Sequence, residues 1–171
     1  MNGKISALVF AVLALALLSI SGCVTPVDEQ KNFDALAKLQ TTYLVKTGFS
    51  SNLSTMSDYI NLLSELKSKT SGSAGKVIEA ELYSAQTFYY YNKALVDSTS
   101  IDYQKMSCSS TATKSTISSI TLANDYATKA TTALSGLFEN EKDKLRANQL
   151  ETVKGYAEQI TQIQKFFADK C

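Results

Sequence analysis

Residues 111–171, TATKSTISSITLANDYATKATTALSGLFENEKDKLRANQLETVKGYAEQITQIQKFFADKC, decide the fold. Apolar residues recur at helical spacing in both halves: Ile117, Ile120, Ala123, Ala127, Ala130 and Leu134, then Leu145, Leu150, Val153, Ala157, Ile160 and Ile163. No alternation of strand period competes with them. If the chain reverses near position 140, residues that face each other across an antiparallel hairpin have numbers adding to about 280. Ala130 and Leu150 do so, as do Ala127 and Val153, Ala123 and Ala157, Ile120 and Ile160, and Ile117 and Ile163, while Leu134 and Leu145 add to 279. Spacings near 3.5 on both helices are what antiparallel packing requires. The alanines allow a close approach.

Cys108 and Cys171 also add to 279. A register drawn from apolar residues alone thus brings these two cysteines to one end of the hairpin, which predicts a Cys108–Cys171 disulfide. The bridge pins a C-terminus that would otherwise fray. Closing a loop of about 60 residues is worth roughly 4 kcal/mol in the chain-entropy model. No CxxC spacing suggests a redox-active pair instead.

Three more helical segments precede the hairpin. The first runs from about Asp28 to Lys46, with Phe33, Leu36, Leu39, Tyr43 and Leu44 apolar, and Gly48 ends it. The second starts after Ser51 or Asn52 as cap and carries Leu53, Met56, Ile60, Leu63 and Leu66 to about Lys69. The glycine-rich turn 71–75 leads to a third, from about Ala74 to Val96. A polar stretch, 97–110, then contains Cys108; the fourth helix spans about Thr111 to Phe138 and the fifth about Asn140 to Lys170. Long helices on short loops predict an all-α, up-and-down antiparallel bundle of four to five helices, its C-terminal hairpin closed by the disulfide. A tetratricopeptide solenoid is the alternative, but no 34-residue self-similarity is visible.

The opposite end of the chain reads as an address. Lys4 supplies one positive charge, and Ala7 to Ile20 is apolar except for Ser19. Those 14 residues suit a signal sequence and fall short of the roughly 20 that a membrane span needs. Ile20-Ser21-Gly22-Cys23 follows. This pattern resembles the lipobox of bacterial lipoproteins, the substrates of type II signal peptidase, a resemblance confined to residues 1–23. It implies cleavage before Cys23, a diacylglycerol on the Cys23 sulfur, and residence on the extracytoplasmic side of the cell envelope. Val24, where inner-membrane retention favours Asp, implies the outer membrane in a two-membrane cell and the cell surface otherwise. Residues 1–22 are then signal peptide, 23–28 the lipidated cysteine and short tether, and 29–171 the bundle. With Cys23 occupied by lipid, Cys108 and Cys171 are the thiols left in an oxidising compartment.

Composition narrows the chemistry. Removing residues 1–22 leaves 149 of 171 residues, enough for one domain with a sizeable core. Sixteen basic and sixteen acidic residues remain, so neither net charge nor any basic run suggests nucleic acid. There is no histidine, which removes Ser-His-Asp and Cys-His catalysis, His-ligated metals and Glu-x-x-His di-iron sites. Gly72, Gly75 and Lys76 have the wrong spacing for a phosphate loop, with Val77 where a hydroxyl should stand. Glu139, Glu141 and Asp143 lack the glycine and closing glutamate of an EF-hand, and are explained by a helix N-terminus. Asn52-Leu53-Ser54 matches a glycosylation sequon but serves as a helix cap. Glu79 and Glu81 are two apart and point to different sides of a helix, so they form no catalytic pair. Neither an enzyme, a cofactor nor a metal is expected.

The third helix is the unusual one. Tyr83, Phe88, Tyr89, Tyr90 and Tyr91 crowd into nine positions. Adjacent residues differ by about 100° around a helix, so three successive tyrosines cannot share a face. Either this helix is contacted on several sides, or at least one tyrosine faces solvent. The tyrosines, with Tyr103 and Met106 beside Cys108, form the candidate surface for an envelope partner or ligand. The leading expectation is a membrane-anchored structural or protein-interaction module. The alternative is a small-ligand binder with an enclosed apolar pocket lined by these aromatics.

Overall fold

A computed structural model describes residues 26–43, 45 and 48–171. The lipobox, Cys23 and the rest of 1–25 lie outside the described residues, as do Leu44, Lys46 and Thr47. Among the described residues there are six helices and no strand. They are α1 (Pro26–Thr42), α2 (Leu53–Ser68), α3 (Gly72–Ser98), α4 (Thr111–Ser135), α5 (Glu139–Lys142) and α6 (Gln149–Lys170). No described helix is long and apolar enough to cross a membrane.

The bundle is organised around α3, which packs against α1, α2, α4, α5 and α6. Its 27 residues make it about 40 Å long at 1.5 Å per residue. The α3–α4 interface is the most extensive in the molecule. These two helices are antiparallel: the numbers of Asp97 and Ser115, joined by a hydrogen bond, add to 212, and so do those of Tyr83 and Lys129, in cation–π contact. The hairpin α4–α6 is antiparallel in turn, so α3 and α6 must run parallel. They do so at a constant offset. Glu81 bonds to Gln149 and Tyr91 to Gln159 of α6, and Ser73 to Glu141 of the preceding α5, each pair 68 residues apart. That offset equals the difference between 280 and 212, so the register read from the apolar stripes agrees with three independent contacts.

The disulfide closes the hairpin as the register requires: Cys108 and Cys171 are bonded, with Cα atoms 5.5 Å apart. Ile120, Ala123, Ala127, Ala130 and Leu134 are buried on α4, and Val153 and Ile160 on α6. Ile117, Leu150, Ala157 and Ile163 are half-buried.

Several boundaries differ from the sequence-based expectation. The fifth helix does not begin at Asn140. The chain forms the single turn α5, then an irregular segment, and α6 starts only at Gln149. Tertiary contacts claim that segment's groups: the Gln40 side chain donates to the Lys144 carbonyl, Leu145 is buried, and Asn148 takes a left-handed conformation at φ 57°. The fourth helix stops at Ser135 rather than Phe138. The first helix starts at Pro26 rather than Asp28, since a missing N–H costs nothing in the first turn. The third starts at Gly72, because Gly72 (φ 67°) and Gly75 fold the chain tightly against α2. A Cβ at Gly75 would sit 2.9 Å from the Thr70 carbonyl oxygen. Asn52 is the cap of α2, its side chain accepting from the Thr55 N–H at 3.1 Å.

Candidate functional site

The tyrosines of α3 fan out rather than stack, as their 100° separation demands. All of them are half-buried, since the helix is covered on several sides. Tyr91 turns toward α6, where its hydroxyl donates to Gln159 Oε1 at 2.5 Å and its ring lies 5.2 Å from that of Tyr156. Phe88 packs between Phe49 and Tyr156. Tyr90 turns the other way and stacks on Tyr126 of α4, centroids 5.5 Å apart and planes 7° from parallel. Tyr89 meets Tyr90 edge-on at 5.1 Å. Tyr83, seven residues before Tyr90 and hence on the same face, reaches Tyr126 at 6.3 Å.

Lys129 completes this seam, its ammonium 5.0 Å from the Tyr126 centroid and 5.9 Å from that of Tyr83. Gln86 lies between Tyr83 and Tyr90, and its Oε1 is buried with no hydrogen-bond partner among the described residues. The seam ends in ion pairs on both sides. Lys67 binds Glu79 at 3.0 Å near Tyr83, and Lys93 binds Asp97 at 2.7 Å beyond Tyr90. Burial works against the Asp97 charge, but hydrogen bonds from Lys93, Ser115 and Ser119 hold its carboxyl below the usual range. Burial, with the neighbouring Tyr126, raises the Tyr90 phenol above its ordinary value.

Of the residues singled out in the sequence, Tyr83, Tyr89 and Tyr90 therefore form one group, Tyr91 belongs to the α3–α6 side, and Tyr103 is separate. Tyr103 lies in the 99–110 loop, since α3 continues to Ser98 rather than stopping at Val96; it is 54% exposed, with its ring 5.9 Å from Phe166. Tyr126 and Lys129 escaped the sequence reading because they lie off the Ile/Ala stripe of α4. The antiparallel register of α3 and α4 sets Lys129 opposite Tyr83 and Tyr126 opposite Gln86, between Tyr83 and Tyr90.

A buried polar node lies on a different side of α3 from the seam and was also missed. Glu81 is 1% exposed and accepts two hydrogen bonds, from the Tyr59 hydroxyl at 2.6 Å and from Gln149 Nε2 at 2.8 Å. Burial pushes its carboxyl up, opposed by those two donors and by the charge of Arg146. Burial and the Glu81 charge likewise push the Tyr59 phenol up. Arg146 itself lies over the Phe49 ring at 4.3 Å. The node joins α2, α3 and the start of α6. Its sequence signal was a glutamate at helical spacing from Val77, Ile78 and Ala85, on the core face. Glu79 behaves as its different side predicted, paired at the surface.

A groove of about 360 Å³ runs along the α5–α6 turn, lined by Leu134, Leu145, Arg146 and Leu150 among others. None of the singled-out tyrosines lines it. Glu141 turns inward to the Ser73 hydroxyl and the Phe138 N–H, so the acidic cluster 139–143 is a helix-start arrangement. Comparison with family models, with curated proteins and with solved structures finds no match for this chain. What fold and site define is an all-helical bundle with a disulfide at one end and an aromatic seam along its longest interface.

Proposed function

We propose that the protein is a cell-envelope lipoprotein, held to a membrane through lipid on Cys23, that acts as a structural or protein-interaction module rather than as an enzyme. The anchor rests on the residue 1–23 pattern, and the Cys108–Cys171 bridge suits the extracytoplasmic compartment it implies. The observation that carries the interaction reading is the α3–α4 seam. Tyr83, Tyr89, Tyr90 and Tyr126 pack ring against ring, with Lys129 over Tyr126. Ordered rings flanked by a cation offer a partner large contact area at little entropic cost. Leu122, one turn before Tyr126 and partly exposed, extends it. The ligand-binding reading called for a pocket lined by these aromatics, and the groove at the α5–α6 turn has other walls.

Cross-linking of the lipidated protein in its membrane, followed by mass spectrometry, tests the proposal. Capture of one envelope protein through residues 83–93 or 122–129, lost in L122R and K129E, supports it. Capture unaffected by those exposed substitutions, or none above background, refutes the role of the seam.

A further inference from the structure

The geometry points to the α1/α3/α5 end of the bundle as a lipid-docking base, with Phe138 and Val27 as the side chains that enter the bilayer surface. This deepens the anchoring proposed above and rests on it. Among the described residues, Phe138 and Val27 are the most exposed of the large apolar side chains, at 70% and 64%. They are more than 100 residues apart in sequence, yet hydrogen bonds lock their segments into one surface. Glu29, in the first turn of α1, accepts from the N–H groups of Ser73 at 3.0 Å and Ala74 at 3.2 Å. The Ser73 hydroxyl donates to Glu141, which accepts from the Phe138 N–H at 2.7 Å with its other oxygen.

This is also the end at which the chain arrives from Cys23. Pro26 is three residues beyond that cysteine and already begins α1. Three residues span at most about 11 Å, so lipid on Cys23 holds this end against the membrane. Two apolar side chains pressed to a bilayer by a neighbouring acyl anchor are under mass action to insert, and aromatic rings favour the interfacial layer. Several of the acidic groups around them are already engaged. Asp28 is paired with Lys31, Glu139 with Lys142 and Glu65 with Lys69, while Glu29 and Glu141 are used internally.

The consequence is orientation. With the base on the bilayer, α3 stands away from the membrane. The disulfide and the exposed Tyr103 then lie about 40 Å out, one α3 length of 27 residues. The seam of Tyr83, Tyr90 and Tyr126 faces sideways, available to a partner beside the anchor.

The chain contains no tryptophan, so single-tryptophan variants report cleanly. F138W and Y103W alter exposed positions and leave the core untouched. Each, purified with its lipid, is placed in phosphatidylcholine–phosphatidylglycerol vesicles with or without brominated acyl chains. Flotation and the mass of the N-terminal peptide report anchoring separately. The expected result is flotation of both proteins, with blue-shifted emission and several-fold stronger bromine quenching for F138W than for Y103W. Flotation with equal quenching, or with none, overturns the docking base while leaving the anchor standing. Absence of lipid mass and of flotation overturns the anchor, and the base with it.

Discussion

The Tyr59–Glu81 bond gives the sharpest test of what holds this bundle together. Tyr59 is fully buried and donates to a carboxylate that is itself 1% exposed. Y59F removes the hydroxyl and little volume, leaving Glu81 with Gln149 as its one donor. A hydrogen bond to a charged group contributes about 1.5–3 kcal/mol, and a buried charge stripped of a donor bears the full desolvation cost. We expect a loss of about 2 kcal/mol near pH 8, equivalent to roughly 4–8 °C in Tm for a domain of this size. The loss must depend on pH. The folded-state pKa of Glu81 stands above that of the unfolded chain. Between the two values the folded protein holds a proton that the unfolded chain has released. Stability is therefore full below the ordinary glutamate range and declines as pH rises through the folded value. Removing a donor that favours the ionised form raises that value further, so in Y59F the decline extends to higher pH and the variant costs less at pH 5 than at pH 8. Urea unfolding at both values measures this, and E81Q supplies the cycle: in its background Y59F should cost less than half as much at pH 8. A Y59F penalty that is the same at both pH values and in both backgrounds would refute the reasoning, because the bond would then carry no charge-dependent energy.

Two further outcomes follow from the same framework. The double variant C108S/C171S opens a bridge spanning 63 residues, which should cost about 4 kcal/mol by loop entropy and lower Tm by roughly 10 °C. Faster amide exchange at 163–170 than at 149–156 should accompany it. The glycines of α3 and α6 should respond oppositely to alanine: G75A forces a Cβ against the Thr70 backbone and should destabilise by about 1–3 kcal/mol. G155A meets nothing within 4 Å in a helix interior and should stabilise by about 0.5–1 kcal/mol. Thermal melts of the two variants decide it.

Some of the architecture was legible because its physics is local and periodic. The stripes Ile117–Leu134 and Leu145–Ile163 specify a hairpin and its register, since residues on one helical face must meet residues at matching spacing on the next. That is why Cys108 and Cys171 could be paired from residue numbers alone. Asn52 as a cap and the turn at 71–75 were readable for the same reason, a local backbone need met by a local side chain. The crowding of Tyr83 to Tyr91 left two options, a third helix contacted on several sides or a tyrosine facing solvent, and packing selects the first.

Other features belong to no stretch of sequence. The break between Asp143 and Gln149 contains neither glycine nor proline. It arises because Gln40, on a distant helix, takes the Lys144 carbonyl and because Leu145 is drawn into the core. The choice of α4 rather than α6 as the most extensive partner of α3 depends on how three helices share one core, a competition that no single periodicity encodes. The Tyr83–Lys129 contact of the seam, the Glu81 node and the hydrogen bonds that tie α1 and α5 to the start of α3 all require residues tens of positions apart to meet. Periodicity determines which face of each helix is apolar; only packing decides which faces meet, and hence which polar groups are trapped between them and which aromatics are left outside.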